Sequence, residues 1–211
     1  MGYNYKQWVY LNKQMKCISP YDGKKMLELG NQWLKKPVMK KLGTTDKIAK
    51  SVFEGMGFKH VSFDLNGEDG SIPIDLSKVI EDKKHYSAYD IVTNSGTTEH
   101  VDPFTSQHEC FMNIHLCAKP GALIVNMVPG DGYRIKSRGR HCQTYYTVKF
   151  FDDLAAANDY KILYLKENGT MVFASFIKEG DNEFCKDRDA FFKNLIYSPF
   201  PKGYCRYPNL K

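Results

Sequence analysis

The chain lacks a long apolar run: none of its 211 residues belongs to a stretch near the ~20 apolar positions that a membrane-spanning helix needs. No membrane contact is therefore expected. Its start, MGYNYKQWVYLNKQMK, lacks the apolar core and the small-residue cleavage site of a signal peptide. Lys6 stands where a myristoylation signal would carry Ser or Thr. A cytoplasmic location is the resulting expectation. No CxxC pair exists either. Cys17, Cys110, Cys117, Cys142, Cys185 and Cys205 are irregularly spaced, which fits reduced structural thiols better than a zinc site or disulfide framework. Internal repeats and low-complexity tracts are absent, so solenoid and fibrous classes drop out. The excess of basic residues is modest at +6 and spread along the chain. Its densest runs, 35–41 and 134–140, are short, and the first reads as a solvated face.

What is present is regular punctuation. KMLEL (25–29) is a buried strand stopped by Gly30. A helix is predicted over 45–56, capped by Thr44, Thr45 or Asp46 and closed by Gly57. Strands follow at 60–65, 71–76 and 89–94, then a helix over 104–117. ALIVNMV (122–128) has the near-continuous apolarity of a strand covered on both faces. A helix over 148–158 leads to a strand at 160–165. Strands alternating with helices predict a doubly wound, mostly parallel sheet, seven-stranded here. The last two strands, 161–165 and 171–177, are joined by Glu167-Asn168-Gly169-Thr170. Asn-Gly is a strong hairpin signal, so the sheet should end in a C-terminal antiparallel hairpin. A polar stretch, a helix over 187–196 and an aromatic tail around 197–207 close the chain. Three segments result: an N-terminal helical, aromatic segment (1–24), the α/β domain (25–180), and a C-terminal helix and tail (181–211) packed on it.

In open α/β sheets, ligands sit at the carboxyl ends of the strands. Gly30 allows close backbone approach there, Asp64 can accept two hydrogen bonds from ribose hydroxyls, and Asp75 with Leu76 offers adenine one polar and one apolar neighbour. The segments LELGNQ (27–32), SFDLNGEDG (62–70), IDLS (74–77), DIVTNSGTTEHV (90–101), NIHLCAKPGALIVNMVP (113–129) and FFDDLAAANDYKI (150–162), with the terminal hairpin, resemble a class I S-adenosylmethionine-dependent methyltransferase.

The resemblance implies a Rossmann-like fold and S-adenosylmethionine as cofactor. It implies Glu28, Gly30, Asn31 and Gln32 beside the methionine part, Asp64 and Leu65 at the ribose, Asp75 and Leu76 at the adenine, and Asn94, Ser95 and Gly96 near the sulfonium. The second glycine usual two positions after the first is replaced by Gln32, whose amide can bond the amino-acid end of the cofactor. Glu99 and His115 are expected to meet the acceptor, and His141 or His100 to act as general base, since imidazole titrates near ~6.5. Some branches of the superfamily hold a divalent ion with Glu-x-x-Glu-His and a later histidine. Gly96 replaces the first of those glutamates, so Glu99, His100 and His141 would be left as three ligands, and no metal is expected. The activity implied is methyl transfer to oxygen or nitrogen of a small-molecule acceptor. The alternatives are a non-catalytic, nucleic-acid-associated module and a nicotinamide-dependent dehydrogenase. The hairpin and the lack of GxGxxG count against the latter. The oligomeric state stays open.

Overall fold

The computed structural model describes residues 2–202. Cys205 and the end of the aromatic tail lie outside them. Along the chain come β1 (Gly2–Tyr3), α1 (Tyr5–Met15), β2 (Lys25–Leu29), β3 (Trp33–Leu34), α2 (Lys36–Leu42), α3 (Ala49–Gly55), β4 (Lys59–Phe63) and β5 (Tyr89–Ser95). Then follow α4 (Gln107–Cys117), β6 (Ala118–Pro129), α5 (Asp131–Ser137), β7 (Thr144–Tyr145), α6 (Val148–Ala157), β8 (Tyr160–Asn168), β9 (Met171–Lys178), α7 (Arg188–Phe192) and β10 (Ile196–Tyr197).

The main sheet runs β4-β2-β5-β6-β9-β8. Its first four strands are parallel, and β9 is antiparallel to both neighbours, as the Asn168-Gly169 turn implies. Alternation along each strand splits the core into two layers. Met26, Ile91, Leu123, Val125 and Met127 face one side, where Trp8, Leu11 and Met15 of α1 and Phe53 of α3 cover them. Leu27, Leu29, Val92, Ile124 and Val128 face the other, against Phe111 of α4 and Phe150 and Leu154 of α6. The N-terminal segment is thus part of the sheet's packing, with Gln14 Nε2/Oε1 amide placed so that Oε1 accepts from the Ser175 hydroxyl at 2.8 Å.

Three elements differ from the sequence reading. The strand expected at 71–76 is a single parallel bridge from Ile72 to Phe63, so the sheet has six strands rather than seven. Pro73 has no N–H to extend the ladder, and Asp75 turns its carboxylate back onto the N–H and hydroxyl of Ser77. The helix expected from 45 starts at Ala49. Ahead of it, Thr44 Oγ1 accepts from Asp46 N and Asp46 Oδ1 accepts from Ile48 N, two local bonds that hold the chain in turns. The helix expected over 187–196 is confined to Arg188–Phe192, with the Asp187 carboxylate capping it through Ala190 N. Two helices went unforeseen. The basic run 35–41 forms most of α2, opened by Pro37 and burying Val38, and α5 occupies what reads as a polar loop.

Candidate functional site

The parallel register brings Leu29, Phe63, Asn94 and Asn126 level at one edge of the sheet. Two cavities open along that edge. The first, of about 600 Å³, is lined by Gly30, Asn31, Gln32, Asp64, Leu65, Asp75, Leu76, Thr97 and His100, among others. The second, of about 440 Å³, is lined by Asn4, Gln7, Trp33, Ser95, Gly96, Glu99, Tyr133 and His141, among others. The turn from Gly96 to His100 supplies residues to both, Thr97 and His100 to one, Gly96 and Glu99 to the other.

The first cavity is built on Gly30, whose φ is +75° and whose N–H donates to Phe63 O at 2.7 Å. A Cβ there would come within 2.3 Å of Thr97 Oγ1, which itself donates to Leu29 O. Glycine is thus required by both conformation and space. The Asp64 carboxylate accepts from the backbone N–H of Asn31 at 2.9 Å and of Asn66 at 3.2 Å, which fixes it at the rim with lone pairs to spare. Asn31 donates its amide to Asp69, and this bond, followed by one from Trp33 Nε1, lowers the pKa of Asp69. The Ser77 side chain, chiefly, lowers that of Asp75. Leu76 is buried at the cavity's far end while Leu65 is 70% exposed at its rim. Gln32 is buried, and its Oε1 has no hydrogen-bond partner. Such an orphaned acceptor at a cavity wall is what an ammonium group would satisfy.

In the second cavity, Glu99 is 1% exposed, with its Oε1 3.7 Å from His100 Nε2 and 3.7 Å from His141 Nε2. Its Oε2 has no hydrogen-bond partner. The two imidazoles meet edge to face at 4.9 Å between ring centres, and Tyr133 lies 4.7 Å from that of His141.

Behind the turn runs a buried polar chain. Asn94 donates to Thr98 Oγ1 (2.9 Å) and Asn126 Oδ1 (3.0 Å), and its own Oδ1 accepts from Thr98 N. Thr98 Oγ1 shares a 2.7 Å bond with the Tyr146 hydroxyl, which also donates to Gln107 Oε1. Gln107 in turn donates to the carbonyls of Thr98 and Val101. Burial above all, then the Glu99 charge, raises the pKa of Tyr146.

No protein-family model matches the chain, and no curated protein does. Solved structures do match. N-methyltransferase NodS from Bradyrhizobium japonicum, solved with S-adenosyl-L-homocysteine, aligns with TM-score 0.56 at 11% identity, over 84% of this chain and 89% of that one. The 1,6-didemethyltoxoflavin-N1-methyltransferase of Burkholderia thailandensis aligns with TM-score 0.54 at 11% identity, over 82% and 77%. An S-adenosylmethionine-dependent methyltransferase from Mesorhizobium loti gives 0.52 at 11%, over 78% and 95%. The chain has the class I methyltransferase fold.

Against that fold, the residues expected at the site fall into groups. Gly30, Asn31, Gln32, Asp64, Leu65, Asp75 and Leu76 line the first cavity together. Ser95, Gly96 and Glu99 line the second, with His141, while His100 faces the first. Glu28 and Asn94 line neither. Glu28 shares strand parity with Met26, so it points into the α1 face, where it accepts from the Tyr3 hydroxyl at 2.7 Å and sits 3.4 Å from His60 Nε2. His115, expected to touch the acceptor, is instead on the buried face of α4: its Nδ1 bonds the Tyr160 hydroxyl and its Nε2 bonds Asn182 O, both at 2.7 Å. A carbonyl can only accept, so Nε2 carries the proton and Nδ1 accepts from Tyr160. Burial, then Lys178, lowers its pKa to about 4.

Sequence reasoning missed Thr97, Trp33, Tyr133 and the α1 start. Thr97 lies inside the quoted GTTEH segment, but nothing in its type marks it as the clamp on Leu29 O. In the N-terminal segment the aromatic Trp8 packs on a sheet face, and the polar Asn4 and Gln7 reach the second cavity. Gln7 donates to Ser95 Oγ at 3.3 Å, and Asn4 caps α1 reciprocally with Gln7.

Proposed function

We propose that this chain is an S-adenosylmethionine-dependent methyltransferase acting on oxygen or nitrogen of a small-molecule acceptor. The observation that supports the reading best is the pairing of cavities across one turn: a Gly30–Asp64 cradle on one side, and a second chamber with a buried carboxylate and two imidazoles on the other. The residues present fit the cofactor. Asp64 is held by two backbone N–H groups as a ribose acceptor, Leu76 and Asp75 suit adenine, and the unpartnered Gln32 Oε1 suits an ammonium. Small molecules as acceptors accord with the bound 1,6-didemethyltoxoflavin of the Burkholderia structure.

Bound S-adenosylmethionine supplies a methyl group on a sulfonium that leaves as a neutral thioether. The protein has to add placement, exclusion of water and a home for the acceptor's proton. Asn4 and Gln7 wall the acceptor chamber, and Trp33 and Tyr133 give it flat surfaces for an aromatic or heterocyclic acceptor. His141, facing that chamber with Glu99 behind it, is placed to take the proton from a hydroxyl or amine.

Calorimetric titration of the full chain with S-adenosylhomocysteine tests the reading. One site is expected, and a folded sample that takes up none at millimolar ligand sinks it. Asp64→Ala should weaken binding about 10–100-fold, the ~1–3 kcal/mol of a charged hydrogen bond. Unchanged affinity would remove Asp64 from the site.

A further inference from the structure

The two cavities differ in charge. Among the described residues, the first is lined by Asp64, Asp75 and Asp102 and by no lysine or arginine. That suits a cofactor bearing a sulfonium and an ammonium against one carboxylate. The second is lined by one carboxylate, the buried Glu99, and by one lysine, the exposed Lys35. Both of the chain's densest basic runs end at that chamber. Lys35 opens the run 35–41, and Tyr133 and His141, which line the chamber, bracket the run 134–140. The runs are remote in sequence; β3, just before the first, and the end of β6, just before the second, bring them to one rim. Lys6 adds a third cation there. It lies between the lining residues Asn4 and Gln7 and reaches Asn168 O at 3.2 Å, next to Met171 of the chamber wall. Two acidic neighbours are engaged: Asp131 accepts from Arg134 Nε at 2.6 Å, and Asp69 accepts from Asn31 and Trp33. Among the described residues no carboxylate pairs with the Lys35 ammonium.

We propose that the acceptor is a planar anion: a ring with the methyl-accepting hydroxyl or amine on one side and a carboxylate or phosphate on the other. This substrate class rests on the methyltransferase reading. Charge in the chamber changes sign from its inner wall to its rim. Inside, the Glu99 carboxylate repels a second anion, while His141 beside it can take a proton from the hydroxyl or amine. At the rim, Lys35 and the basic runs attract one. The anionic end therefore points outward and the nucleophile inward, which selects the group that receives the methyl. Trp33 and Tyr133 flank the ring between them. Lys47 Nζ stands 4.2 Å over the Trp33 ring, and the indole N–H donates to Asp69 at 3.1 Å, so Trp33 is fixed from two sides. A cation on one face polarises the indole and favours an electron-rich ring on the other.

The experiment uses the full chain saturated with S-adenosylhomocysteine and, in calorimetry, three probes of one shape: 2-naphthoate, 2-naphthyl phosphate and the neutral 2-naphthamide. At least one anion should bind about 5–10-fold more tightly than the amide in low salt, and the margin should shrink as salt rises. The ratio between the two anions tells carboxylate from phosphate. Lys35→Gln should reduce the margin by about threefold and Lys35→Glu should abolish it, both leaving the amide's affinity unchanged. Lys161→Gln, at the end of the β8–β9 hairpin away from Met171, removes the same net charge and should change nothing. These side chains are exposed, and circular dichroism confirms that each variant is folded. Equal affinity of anions and amide overturns the proposal, as does a margin indifferent to Lys35→Glu or uptake of none of the three. A short single-stranded RNA that displaces the naphthyl anions and binds more tightly overturns it in favour of a polymeric partner. Uptake of S-adenosylhomocysteine is measured first, which separates the two readings. If the chain takes none, the methyltransferase reading falls, and an anion preference governed by Lys35 in the free chain still keeps the charged chamber.

Discussion

The two faces of the turn after β5 differ in how their polar groups are satisfied. Toward the sheet and α4, Asn94, Thr98, Gln107, Tyr146 and Asn126 give and accept bonds until the chain closes on itself. Toward the cavities, Glu99 Oε2 and Gln32 Oε1 are buried without a hydrogen-bond partner. Both faces are polar and buried. The satisfied one is a scaffold whose groups have no capacity left for a ligand. The unsatisfied one carries free energy that a ligand can recover. Degree of satisfaction thus separates the two faces where residue type does not: Asn94 and Glu99 belong to one motif, yet the Asn94 amide both gives and accepts bonds while Glu99 Oε2 has no partner.

The sharpest way to break this contrast is Asn94→Ala. It strands Asn126 Oδ1 and Thr98 N in the core, and a loss of about 2–4 kcal/mol in urea unfolding is expected. A loss under ~1 kcal/mol would mean that the chain of bonds is not the turn's support. Next in size is a pH effect from His115, a buried histidine that lines neither cavity. His115 is held neutral when folded, with a pKa of about 4, against ~6.5 when unfolded. Its contribution is complete above about pH 6.5 and is lost as pH falls toward 4, by roughly 3 kcal/mol in all. His115→Gln should flatten that slope; an unchanged slope removes His115 as its source. Gly30→Ala forces a side chain to φ +75° and against Thr97, with about 1–2 kcal/mol of stability lost and cofactor affinity with it. Retained affinity would show that the cradle lies elsewhere. The smallest effect belongs to the ligand-facing side. His141→Ala should shift stability by less than about 1 kcal/mol, because its Nε2 lies 3.7 Å from Glu99 Oε1, beyond hydrogen-bond reach, and the side chain is part-exposed on the cavity wall. A larger loss would place His141 with the scaffold.

The same contrast explains what the sequence made legible. The succession of strands and helices along the chain, the hairpin and the Gly30–Asp64–Leu76 line are written in short-range signals: apolar runs, Asn-Gly, a glycine at a strand end. The missing third strand was legible only in Pro73, one residue among six that otherwise suit a strand. Roles decided by which side of a strand a residue faces were harder to read. Glu28 follows the family pattern by position, yet parity turns it to Tyr3, a residue 25 positions away whose approach no local pattern announces. His115 likewise sits on a helix face whose partners, Tyr160 and Asn182, come from β8 and the segment beyond β9. The second cavity was least legible, because α1, the β3 region and the turn after β6 each give it only one or two residues.

The hairpin that ends the sheet also sets which strand forms its outer edge. The outer side of β4 is partly masked by the Ile72 bridge, which leaves β8 as the bare margin at the opposite end. Its pairing with β9 slips between Ile162 and Tyr164, and Lys161, Lys166 and Glu167 stand along it, with Ile162 and Leu163 part-exposed between them. A kinked, charged margin is a poor template for a further strand. In a crowded solution it works against the open-ended ribbon growth that a flat apolar edge would invite.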